Sequence, residues 1–122
     1  LFVLDACQAG GALTAFNSRG ANREKAIAQL ARSTGTFFLL ASGAIQYSSE
    51  VKDLGHGIFT YAILEALEGR ADGGARDEKI TVTELKSYVE DRVPEITREY
   101  MLTPQYPTGY GYGQDFPVVM VR

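Results

Sequence analysis

The sequence is poor in reactive and rigid residues, with one cysteine, one histidine, no tryptophan and four prolines in 122 residues. A single cysteine excludes an internal disulfide and any paired-cysteine redox or zinc site, so Cys7 is either a small apolar filler or a reactive thiol. Neither sign of charge dominates: 12 Lys+Arg against 15 Asp+Glu leave a net charge of −3, which argues against nucleic acid or an anionic membrane as a partner. No apolar stretch approaches the roughly 18 residues of a membrane-spanning helix. The apolar opening Leu1-Phe2-Val3-Leu4 lacks the basic leader of a signal peptide. Nothing favours secretion, and the expected compartment is cytoplasmic. What is present, 45% hydrophobic and 22% charged residues, is the make-up of an ordinary globular domain with one modest core. The chain starts without Met and directly in a strand-like run, which suggests a piece of a longer protein.

Two continuous apolar runs, Leu1 to Leu4 and Thr36 to Ala41, predict strands covered on both faces, as in a parallel sheet between helices. Each ends in a polar or Gly-rich tract. Between them, apolar positions Ala26, Ile27, Leu30 and Ala31 predict a helix over 22–33, with Asn22 as N-cap and Gly35 just past its end. After the second run, Gly55-His56-Gly57 opens an amphipathic helix whose face is Ile58, Phe59, Ala62, Ile63, Ala66 and Leu67, closing at Gly69. A polar loop from Arg70 to Lys79 follows. Thr81 with Glu84 three residues on has the form of a capping box, and the helix behind it should bury Leu85, Tyr88 and Val89 and end or kink near Pro94. Tyrosine, glycine and proline between Tyr100 and Gly113 read as an ordered loop. A last strand, 116–121, completes an α/β layered sandwich, one domain or part of one.

Cys7 stands directly after the first strand, in Asp5-Ala6-Cys7-Gln8-Ala9-Gly10-Gly11. The crevice beyond the carboxyl ends of parallel strands is where ligands and reactive groups collect. Gly10 and Gly11 would let backbone amides approach a developing oxyanion. Position alone leaves both readings of Cys7 open, since free cysteine is also among the most buried residue types.

The run Leu4 to Gly11 resembles the nucleophile motif of the caspase-like cysteine peptidases, in particular the prokaryotic and metacaspase-like branch. Three further segments resemble the same family in the same order: Ala41-Ser42 with Gln46 and Glu50; Gly55-His56-Gly57-Ile58-Phe59-Thr60; and Thr103-Pro104-Gln105-Tyr106-Pro107 leading to Asp115-Phe116-Pro117. Together they span nearly the whole chain. The resemblance implies a three-layer caspase-like sandwich, a mostly parallel sheet between helices, of which residues 1–122 form the C-terminal part. It implies a cysteine endopeptidase with Cys7 as nucleophile and a polypeptide substrate. Asp5 would line the pocket for an Arg or Lys before the cut, with Glu50 a second acid in it, because a partly desolvated carboxylate pairs well with a guanidinium. The bland readings are a strand-end cap for Asp5 and a solvated loop charge for Glu50.

The family's catalytic histidine lies upstream of the cysteine, before residue 1. His56 matches the helix-opening segment instead, where the dipole disfavours the imidazolium that a thiolate ion pair needs, so a structural or supporting role is expected of it. The isolated chain should therefore be catalytically silent, and should associate with the missing N-terminal half or with itself through the edge of the first strand. Calcium dependence occurs in some metacaspases. The acidic loop 72–80 followed by Glu84 fails the register of a calcium loop, so no metal site is expected and no cofactor is evident. The alternative to an enzyme is an inactive caspase-fold module serving in assembly or signalling.

Overall fold

The computed structural model describes residues 1–5, 29, 31–33, 35–41, 50–51, 56–74, 76–100 and 104–121. Strand β1 (Phe2–Leu4) pairs in parallel with β2 (Phe38–Leu40), in the register Phe2 to Phe38, Val3 to Leu39 and Leu4 to Leu40. Before β2, Gln29 and residues 31–33 are helical. The Thr36 N–H bonds the Ala31 carbonyl at 3.2 Å across Gly35, whose φ is +65°, the left-handed closure that glycine makes cheaply. The rest of the helix expected over 22–33 lies outside the described residues.

All three residues of β2 are buried, as a strand covered on both faces requires. The first strand departs from that expectation. Leu1, Phe2 and Val3 are 43%, 44% and 41% exposed, because among the described residues β1 has a strand neighbour on one side alone. The Phe2 ring packs on Phe38 with centroids 5.6 Å apart.

Glu50–Val51 (β3) and His56–Gly57 (β4) form a short antiparallel pair that delivers the chain into helix α1, Ile58–Glu65. The helix continues as a π-turn over Ala66–Arg70, in which Gly69 has φ +116° and abuts Val121. Strand β5 (Lys79–Thr81) begins where the sequence suggested a loop ending, and leads directly into α2, Val82–Glu99. The capping box at its start is as predicted: Thr81 Oγ1 accepts the Glu84 N–H at 3.2 Å, and Glu84 Oε2 accepts the Thr81 N–H at 2.9 Å. Two more orphan donors of the first turn are satisfied from the chain's end, Val82 N–H by the Phe116 carbonyl and Thr83 N–H by Asp115 Oδ1, each at 3.0 Å.

The helix does not end at Pro94. It runs five residues further, to Glu99. Proline removes one i to i−4 bond, but Val93, Ile96 and Thr97 are buried on that stretch, and burial of this face outweighs one missing bond.

Residues 100–113 are not all loop either. Thr108–Tyr110 is a strand, β6, antiparallel to β2 with Leu40 opposite Thr108. Pro117–Met120 (β7) is the expected last strand and pairs with β5 across a bulge between Ile80 and Thr81. The fold is thus a mixture of helices and small sheets, α/β in the broad sense. Among the described residues one strand pairing is parallel and three are antiparallel. The core forms where α1 and α2 pack on each other and on β2 and β5, around Leu39, Ile58, Phe59, Ile80, Val89 and Val93. No helix among the described residues is long and apolar enough to cross a membrane.

Candidate functional site at the carboxyl end of the parallel strands

The chain leaves the parallel pair at Asp5 after β1 and at Ala41 after β2, side by side because Leu4 lies opposite Leu40. Asp5 is exposed, and its Oδ2 accepts a hydrogen bond from Thr60 Oγ1, in the first turn of α1. That helix starts at Gly57 with no side-chain cap and no acid of its own in the first turn. Asp5 therefore supplies from another element the negative charge that a helix N-terminus favours. A carboxylate has about four lone-pair sites, so the contact with Thr60 leaves Asp5 capacity to accept from a guanidinium or ammonium group.

Glu50 is placed by its backbone. In the β3–β4 pair it stands opposite Gly57, the residue that caps α1, three positions before Thr60. The two acids expected to share a pocket are thus both brought to the entrance of one helix, Asp5 by a side-chain contact and Glu50 by strand register. His56 precedes that entrance and pairs with Val51. On the other side of β2, Gln105 is 1% exposed, and its side-chain amide donates to the Ala41 carbonyl at 2.8 Å. Cys7 lies outside the described residues, as do Gly10, Gly11, Ser42 and Gln46.

A second cluster, whose members are distant in sequence and share no motif, lies between the helices. Glu65, 6% exposed, accepts from Arg92 Nε at 2.8 Å and Nη2 at 3.4 Å and from the Tyr88 hydroxyl at 3.2 Å, with Arg70 at 3.6 Å. Burial pushes the Glu65 carboxyl up, but the hydrogen bonds from Arg92 and Tyr88 and the charges of Arg92 and Arg70 together hold it below its ordinary value. Burial first, then the charge of Glu65, raises the Tyr88 hydroxyl. The bond to Glu65 raises Arg92 further above its already high value. Arg92 also meets Glu95 at 3.2 Å and Glu99 at 3.5 Å. Beside the cluster an open cleft of about 320 Å³ is lined by Arg70, Tyr88, Asp91, Arg92 and Glu95. With both cations already facing carboxylates, the arrangement is that of a structural ion-pair network. One signal in the sequence could have pointed to it: Glu65 stands seven residues after Ile58, on the apolar side of α1.

In the loop before β5, Asp72 accepts the N–H groups of Asp77 and Glu78 at 3.2 and 3.0 Å, and Glu84 is held by the capping box. These acids are occupied in closing a turn and a helix start. Among the described residues no group of three or more His, Cys, Asp or Glu is placed to hold a metal ion. Asp115, which caps α2, has its carboxyl held below the ordinary value: burial raises it, and the hydrogen bonds from Thr81, Thr83 and Phe116 outweigh that. Comparison with protein-family models, with curated proteins and with solved structures gives no match to this chain.

Proposed function

We propose that this chain is the C-terminal part of a caspase-like cysteine endopeptidase domain that cuts polypeptides after Arg or Lys. The observation that supports it best is the meeting of segments far apart in the chain. Asp5, from the segment that resembles the nucleophile motif, touches Thr60 of the helix-opening segment 55 residues away. Gln105, from the Thr-Pro-Gln-Tyr-Pro segment, bonds Ala41 of the second. Glu50, also of the second, pairs with Gly57 of the third. Described residues from each of the four stretches, Asp5, Ala41 with Glu50, Gly57 with Thr60, and Gln105, are thus linked near one end of the parallel strands, the end where α/β proteins place their chemistry.

Cys7 is the second residue after Asp5, so at most about 7 Å of fully extended chain lies between them. In the reaction proposed, the thiol gives its proton to a histidine upstream of residue 1, and the thiolate sulfur attacks the scissile carbonyl carbon. The carbonyl oxygen becomes an oxyanion facing backbone N–H groups. Collapse of that intermediate breaks the C–N bond as the histidine returns the proton to the leaving amine, and water then hydrolyses the thioester to regenerate the thiol. Asp5, with Glu50, holds the basic side chain that precedes the cut.

The test is hydrolysis of arginyl and lysyl peptides by the full-length parent protein beside its Cys7→Ala variant. Cleavage that disappears with the thiol is the expected result. Cleavage that survives Cys7→Ala removes the nucleophile assignment, cleavage after Asp alone removes the pocket, and no cleavage of any peptide leaves the inactive interaction module as the better reading.

A further inference from the structure

We propose that Gln105 is a positioning residue for substrate, holding the segment that carries Tyr106 as one wall of the cleft whose other wall begins at Asp5. The proposal rests on reading this end of the sheet as a peptide-binding cleft. Gln105 lies in the irregular stretch 104–107 before β6, yet it is 1% exposed, among the most buried of the described residues. A buried side-chain amide is costly unless hydrogen bonded. Gln105 meets that cost with a bond to the carbonyl of Ala41, 64 residues away. Ala41 is the residue at which β2 ends and is itself 0% exposed. The bond therefore fixes the separation between the segment before β6 and the carboxyl end of β2.

The residues on either side show what this holds in place. Pro107 is buried, so the segment is anchored at two points, while Tyr106 between them is 54% exposed. Such an alternation presents one aromatic ring outward from a stretch that is otherwise pinned down. The antiparallel register, Leu40 opposite Thr108, carries residues 105–107 past the end of β2, toward the end of the sheet where Asp5 leaves β1. An aromatic face on one side of β2 and a carboxylate on the other suit a peptide with a basic side chain: the carboxylate takes the charged head, and the ring packs against a neighbouring substrate residue or the cation itself. A methionine in place of Gln105 would fill similar space and make no such bond.

The experiment uses the full-length parent in a Cys7→Ala background and measures equilibrium binding of an arginyl peptide, with the thermal midpoint recorded for each variant. Gln105→Met is expected to weaken binding about tenfold, the scale of one lost buried hydrogen bond. Tyr106→Ala removes a ring that is 54% exposed and is expected to weaken binding several-fold in protein that still unfolds cooperatively. It also reads the same wall should Gln105→Met fail to fold. Binding unchanged in every folded variant overturns the positioning role, as does a lowered midpoint in Gln105→Met with peptide affinity intact. Failure of the peptidase reading looks different: the parent with Cys7 intact would then cleave nothing, whatever the affinities of the variants.

Discussion

Glu65 shows how one side chain can join two helices. It stands on the buried side of α1, takes two hydrogen bonds from Arg92 and one from Tyr88, both on α2, and draws Arg70 toward it. Glu65→Gln keeps the size and removes the charge, leaving Arg92, 20% exposed, with carboxylate partners at the surface only. The expected loss is about 3 kcal/mol, the low end for breaking a buried pair, because Arg92 retains some contact with water. Since the folded carboxyl is held below its unfolded value, its contribution is complete above the unfolded pKa of about 4.3. It is lost as pH falls through the lower, folded value. Urea midpoints of the wild type and Glu65→Gln should therefore converge as pH is lowered from neutrality through the carboxyl range. A constant gap across that range would show that the charge of Glu65 is not what stabilises the pair. The sequence held a hint of this residue in its helical position, but its partner lies 27 residues on. Pairing of that kind depends on how two helices pack, which no local pattern encodes.

Elements were legible in the sequence where periodicity or capping chemistry is local. The capping box, the apolar face of α1 and the buried run of β2 are all read from residues within a turn or two of one another. Strand β6 was not, because Thr108-Gly109-Tyr110 and the Gly111 that follows have the composition of a turn. The physical reason for those glycines is proximity. A Cβ on Gly109 would lie 2.5 Å from the Lys86 side chain, and one on Gly111, just after β6, would lie 2.1 Å from the Phe37 ring. The two positions differ in what can yield. Lys86 is a flexible stem ending in an ion pair with Glu90 at 3.1 Å, whereas Phe37 is a ring set edge-on to Phe116 at 5.8 Å. Gly111→Ala should cost about 1–3 kcal/mol as overpacking, and Gly109→Ala less, because the lysine can move aside. Thermal denaturation of the two variants side by side checks the order. Equal losses would mean that the ring yields as readily as the stem.

At the scale of the molecule, the candidate site depends on topology more than on any single element. Asp5, Glu50 and Gln105 belong to three separate stretches of chain, and what unites them is that β1 and β2 run the same way while α1 and β6 approach their carboxyl ends. Resemblance named these residues, and the fold supplies the contacts among their segments, though Cys7 lies outside the described residues. The same topology leaves β1 with a strand on one side only among those residues, and Leu1, Phe2 and Val3 each more than 40% exposed. An apolar edge with unpaired backbone donors and acceptors is a template for another strand. The 122-residue chain by itself is therefore expected to associate through β1, its sedimentation coefficient rising with concentration. Val3→Lys places on that edge the charge that natural edge strands use to discourage pairing. It should return the chain to a monomer while preserving its circular dichroism, since Val3 contributes little to the core. A wild-type chain that stays monomeric would remove the edge as an association surface. A Val3→Lys chain that associates as the wild type does would move that surface away from β1.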